Sequence, residues 1–250
     1  MTLSSTGTED DIHRVSSVDS ERLINHSSSS IPDEMVESRC DAYTRGPVPH
    51  IALPPLLFTD PSHFIVNGTT ITRSEVDVGI FGFARHSSAL LRDPITSEIV
   101  SVTLTILSLP NLDHQVGGIR IGVLDSTAPV PKLGETLGWD VKDSVSLNSS
   151  AGYLNLHSPS TQHVSKSAFC HFFLKEGDCV RMEVDMDSTP RTAQFFVNGE
   201  NGESFVSGLP LSVRIGFSAY GQGTSFRIDR ILQKERPTPT APEMEEIKWE

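Results

Sequence analysis

The chain has 250 residues, of which 37% are hydrophobic and 21% charged, and it carries a formal net charge of −12. Those values fit a globular protein and exclude collagen-like and disulfide-scaffold classes. An acidic balance also weighs against nucleic acid and anionic membranes as partners, because both require a basic face.

Taken in chain order, residues 1–51 are rich in Ser, Thr and acidic side chains, and the first 50 hold 4 basic and 9 acidic residues. Such a segment buries too little apolar surface to offset its ordering entropy, so a disordered tail is expected. No apolar signal-peptide core follows Met1 and no run is long enough to span a bilayer, which points to the cytoplasm. Cys40, Cys170 and Cys179 have no paired metal or redox spacing and read as reduced thiols.

From residue 52 to 233 the period is two rather than 3.6. The run IVSVTLTIL (99–107) sets Val100, Val102, Leu104 and Ile106 against Ser101, Thr103 and Thr105, the pattern of a half-buried strand. The runs GIRIGVL, LSVRIGF and SFRI alternate in the same way. Further strands are expected at 63–66, 70–72, 78–84, 144–147, 153–156 and 204–206. Within 180–200, Val180, Met182 and Val184 oppose Arg181, Glu183 and Asp185; Asp187-Ser-Thr-Pro190 turns, 193–197 returns, and Asn198-Gly199 supplies a tight hairpin turn. About a dozen short strands without a βαβ rhythm predict an all-β fold, an antiparallel two-sheet β-sandwich. Residues 234–250 open with alternating proline and read as an acidic C-terminal tail that frays, with docking through Met244, Ile247 and Trp249 as the alternative.

Five pieces in order resemble the SPRY domain, the core of the B30.2 family: TDPSHFIVNGTTITR (59–73), GIRIGVLDSTAPVP (118–131), SVSLNSSAGYL (144–154), FLKEGDCVRMEVDMDSTPRTAQFFVNGE (173–200) and LPLSVRIGFSAYGQGTSFRI (209–228). The strand at 99–107 lacks the Trp that many members carry, and nothing in residues 1–50 resembles the PRY segment of the longer form. The resemblance implies a concanavalin-like sandwich whose loops bind short peptides or protein surfaces. In some members an aromatic-Gly pair before the last strand lines the pocket. That pair matches Tyr220-Gly221, flanked here by Ser218 and Ala219.

Chemistry-bearing patterns point the same way. Glu183 and Asp185 project side by side from the polar face of one strand into solvent or an inter-strand groove, and Asp187 sits in a turn; a calcium loop would need a third ligand and a Gly. The histidines form no metal-binding helix motif, and His114, His157 and His163 fall in expected loops. No nucleophile elbow is present, and the glycine clusters open no phosphate-binding helix. No catalytic residue, metal or cofactor is therefore expected. Loops on a rigid sandwich remain as the binding surface. Beside the 218–221 segment, Arg85, His86, Asp125 and Thr127 are candidates from expected exposure. The expected function is a non-catalytic, monomeric module that binds a protein or peptide. A carbohydrate-binding module, with Trp139 and Tyr220 stacking on sugar rings, is the alternative; a hydrolase is third.

Overall fold

β-Branched and aromatic residues alternating with small polar ones favour extended chain, and the computed structural model is built almost wholly from it. The structure describes residues 52–74, 86–110, 118–159, 166–170 and 172–249. Every described residue lies in one unit, within Ile31–Glu250. The strands are β1 (Leu56–Phe58), β2 (Phe64–Asn67), β3 (Thr70–Arg73), β4 (His86–Leu91), β5 (Ile99–Ser108), β6 (Gly118–Asp125), β7 (Ser144–Asn148) and β8 (Tyr153–His157). They continue as β9 (Lys166–Phe169), β10 (Cys179–Asp185), β11 (Thr192–Val197), β12 (Glu200–Ser207), β13 (Val213–Tyr220), β14 (Ser225–Lys234) and β15 (Glu245–Lys248). Among the described residues the one helical turn is Pro61–His63, capped by Asp60.

Two sheets result. One has the order β1-β4-β13-β6-β7-β8-β9 and the other β15-β12-β11-β10-β5-β14-β3-β2. All pairings are antiparallel except β12 with β15. The two consecutive hairpins expected in 180–206 form, β10 on β11 and β11 on β12. Asn198 and Gly199 take φ of 52° and 84°, the positive pair that matches a hairpin turn to strand twist. The strand expected at 78–84 lies outside the described residues, as does Arg85.

The inward positions of both sheets merge in one apolar core. Val102, Leu104 and Ile106 of β5 meet Ile119, Ile121 and Val123 of β6, all within 1% exposure. Phe217 of β13 and Phe226 of β14 close the gap between sheets with ring centroids 5.0 Å apart.

The outer faces depart from the sequence expectation. Ser101, Thr103 and Thr105, the polar positions of β5, are 4%, 4% and 0% exposed, and Glu183 and Asp185 are 2% and 3% exposed. A chain segment covers Glu183. After β14 the backbone crosses the outer face of the eight-stranded sheet instead of fraying. Thr238 donates its backbone N–H to Glu183 Oε1 (2.5 Å) and its hydroxyl to Oε2 (2.9 Å), while Gln194 Nε2 donates to Thr238 O (3.0 Å). The segment ends as β15 alongside β12, with Ile247 3% and Trp249 8% exposed and Trp249 N–H bonded to Ser207 O at 2.9 Å. The expected tail at 234–250 is thus a strap. Its prolines serve the extended crossing, and its two late apolar residues join the core.

Burying an indole stabilises by several kcal/mol, so Trp249→Ala should cost about 3 kcal/mol or more in urea-monitored unfolding. A cost below about 0.5 kcal/mol, the level of an ordinary surface substitution, would show that the strap does not seat.

Candidate binding surface

Strand β13 places its residues alternately on the core and on the outer face of the seven-stranded sheet. Val213, Ile215, Phe217 and Ala219 enter the core, which sends Arg214, Gly216, Ser218 and Tyr220 outwards. Tyr220 pairs in register with His86 at the start of β4, and their rings lie 5.1 Å apart at 45°. Two expected contact residues that are far apart in sequence thus form one aromatic pair, but the exposure expected of His86 is corrected: it is 8% exposed, enclosed at the start of β4, and braces Tyr220. The turn after Tyr220 is fixed by Gly221 at φ 79° and by Thr224, whose hydroxyl donates to Tyr220 O. Tyr220 is half-buried, which leaves part of its ring for contact.

The flanking residues have other roles. Ser218 is fully buried; its Oγ lies 2.7 Å from Ser88 Oγ and accepts from Leu137 N–H at 3.4 Å. Ala219 packs in the core at 1% exposure, and Gly221 is buried. These three position Tyr220 and present little surface of their own. Asp125 and Thr127 are not near it. The register Val213↔Asp125 and Tyr220↔Gly118 puts them at the opposite end of the sheet, about 23 Å away over seven residues of strand. There Asp125 Oδ1 accepts from the backbone N–H and hydroxyl of Thr127, both at 2.7 Å, in a turn that leaves Thr127 exposed.

The segment 126–143 folds over the middle of this face. Leu137 and Val141 bury against Leu90 and Leu124 in a second apolar cluster, and Gly134 N–H bonds His86 O at 2.9 Å. Gly138 makes the approach possible. Its φ is +71°, and a Cβ there would stand 2.4 Å from Asn155 O, so only glycine fits. The segment carries Trp139 to the surface at 52% exposure, beside Arg120.

Arg120 is the residue the sequence did not mark. It is opposite Ser218 and Asn148 in register, its Nη1 donates to Leu137 O at 3.4 Å, and its guanidinium lies 5.9 Å from the Trp139 ring centre. Burial pushes its pKa down to about 10, with Asp140 opposing, so it remains protonated at neutral pH. The row continues through Asn148 to Tyr153, which is 41% exposed. The only sequence signal was one Arg among the outward positions of GIRIGVL; its neighbours come from strand order, which alternation does not encode.

The carboxylates are engaged structurally. Asp185 Oδ1 accepts from the N–H groups of Asp187 and Ser188 at 3.0 Å each, and Asp187 Oδ1 accepts from Glu98 N–H at 2.8 Å. Glu183 takes Lys234 Nζ at 2.6 Å and Arg181 Nη1 at 2.9 Å. Their expected solvent-facing placement is therefore corrected for Glu183 and Asp185: the strap and the Ser188 turn enclose them. His157 closes β8 and is 5% exposed rather than in an exposed loop; His114 and His163 lie outside the described residues. Cys170 and Cys179 are buried and form no disulfide among the described residues, and Cys40 lies outside them. Among the described residues no helix is long and apolar enough to cross a membrane.

No family model matches the chain, and no curated protein matches it. Solved structures do. The SPRY domain of human HERC1 aligns with a TM-score of 0.48 at 16% identity, over 71% of this chain and 99% of that one. The TRIM65 PSpry domain gives 0.45 at 13%, over 73% and 98%. The VIP36 exoplasmic/lumenal domain, in a Ca2+/Man3GlcNAc-bound form, gives 0.46 at 12%, over 78% and 89%. The likeness is one of fold.

Burial pushes the Cys170 thiol up to about 11, so little thiolate exists at neutral pH. Iodoacetamide at pH 8 should therefore label Cys170 only as fast as the sandwich unfolds, as read by peptide mass with and without urea. Rapid labelling of the folded protein would contradict the seating of β9 and its neighbours.

Proposed function

We propose that the chain is a non-catalytic protein-interaction module that docks a short peptide or protein surface on the outer face of its seven-stranded sheet. The observation that carries this reading is the aromatic pair Tyr220–His86 on the same face as the Arg120–Trp139 contact. Tyr, Trp and Arg concentrate binding energy in protein interfaces, because each offers large area, limited rotamer loss and a polar tip. Here the backbone that holds them is strand or tightly bonded loop, so little ordering cost accompanies docking. Arg85, which precedes His86 in sequence and lies outside the described residues, is kept as a further candidate contact. Ser218, Ala219 and Gly221 act by setting the position of Tyr220. Asp125 and Thr127 form a second contact, reached by a ligand extended over about seven residues. The module acts as a monomer in the cytoplasm, and nucleic acid and membranes are not its ligands.

A carbohydrate reading rests on the exposed rings of Trp139 and Tyr153, which a sugar could stack on. Its geometry is less favourable: Arg120 already engages the Trp139 ring.

Affinity enrichment with the wild type and with Tyr220→Ala tests the assignment. Loss of an anchor costs about 2 kcal/mol, so partner affinity should fall roughly 30-fold for Tyr220→Ala. Unchanged recovery of every partner by Tyr220→Ala would remove the site, and strong glycan-array binding without a peptide ligand would replace the peptide reading with the sugar one.

A further inference from the structure

The outward positions of the seven-stranded sheet bring one cation into the proposed docking face. Ile119 and Ile121 enter the core, so Arg120 between them leaves β6 on the outer side. Its register partners are Ser218 of β13 and Asn148 of β7, and Asn148 is opposite Tyr153 of β8. Tyr220 pairs with Gly118, two residues back along β6, which sets Tyr220 and Arg120 on a diagonal of about 7–8 Å. Tyr153 stands two strand spacings the other way, about 10 Å from Arg120. The half-buried Arg120 is thus flanked by two tyrosines that both reach the surface.

The guanidinium is held in place without a bonded carboxylate. Its Nη1 donates to Leu137 O at 3.4 Å, the Trp139 ring centre lies 5.9 Å away, and Asp140 acts on it electrostatically. The Asp140 Oδ2 atom is itself taken by the backbone N–H and the hydroxyl of Thr136, at 3.0 and 2.5 Å. Among the described residues no carboxylate forms an ion pair with Arg120, whereas Arg181 has Glu183 at 2.9 Å and Arg227 has Asp229 at 2.6 Å. A carbonyl at 3.4 Å is a long acceptor for a guanidinium, and a ring contact uses the charge without using a donor. Burial pushes the Arg120 pKa down to about 10, the response of a cation that has lost solvent without gaining an equal partner.

We propose, resting on the docking reading above, that Arg120 determines the specificity of that face by receiving the side-chain carboxylate of an Asp or Glu in the partner segment. Carboxylate oxygens accept from guanidinium N–H groups in short, charge-assisted bonds, and a partly desolvated cation gains more from such a bond than one in water. The tyrosines on both sides give the ligand contacts before and after the acid, so the acid is an internal residue rather than a chain end. At about 3.3 Å per extended residue, it stands two or three positions from the residues that meet Tyr220 and Tyr153. The net charge of −12 opposes an acidic ligand only from a distance, and salt screens it beyond about 8 Å.

Selection of acetylated, amidated random decapeptides on the full chain provides the test, because capped ends leave side chains as the only carboxylates. Enrichment of Asp or Glu at one position, two or three residues from an aromatic or large aliphatic residue, is expected. Exchanging that acid for its amide in the best-bound peptide should weaken binding to the wild type roughly tenfold or more, and binding to Arg120→Gln less than about twofold. Peptides that lose affinity for Tyr220→Ala but show no acidic preference would overturn the role of Arg120 and leave the docking face standing. An exchange that costs the wild type nothing does the same and needs no protein variant, so the proposal stays open to refutation even where Arg120→Gln does not fold. Selection of no peptide at all would remove the docking reading and this one with it.

Discussion

A sandwich made of two sheets uses one face of each for its core and leaves two more. In this protein neither outer face is bare. Segment 126–143 closes over one sheet through Leu137 and Val141, and the 235–249 strap closes over the other through Glu183, Gln194 and Trp249. Burial on both faces is why β4 and β7 contain no exposed position and β10 only one half-buried one. What the 126–143 segment leaves open on its side includes Tyr220, Arg120 and Trp139.

The two covers are fastened differently. Over the seven-stranded sheet the closure is apolar and depends on close approach, with Gly138 against Asn155 O. Over the eight-stranded sheet it is polar at its centre. Glu183 is nearly fully buried and accepts from Arg181, Lys234 and two Thr238 donors. A buried carboxylate costs several kcal/mol to desolvate, so its net contribution to stability is small even with good partners. Its effect is on register: it holds Thr238 by both backbone N–H and hydroxyl, and the chain beyond runs to the edge of β12. Stability of the strap then rests on Ile247 and Trp249.

Alternation identified most strands because β-structure has a period of two and side chains must choose a face. The runs at 99–107, 180–185 and 193–197 became β5, β10 and β11 within a residue or two. It failed where a polar face is covered. Glu183 looks like a solvent position because nothing local in the sequence tells a polar residue capped by a distant Thr238 from one capped by water. Strand β4 was missed because HSSALL packs small polar residues on both sides, and β15 because EEIK is too short and acidic to stand out. The site was legible in part. Tyr220 and His86 were each marked, one by motif and one by expected exposure, yet only the β4–β13 register shows that they touch. Arg120 needed the β6–β13 register as well.

The central claim is that a partner docks at the Tyr220 end of the seven-stranded sheet. Hydrogen exchange of the chain with and without its enriched partner peptide measures this most directly. Protection concentrated at 86–88, 118–120, 137–140 and 218–224 is the result the account predicts. Protection confined to 125–128, or to the strap and the face beneath it, would contradict it.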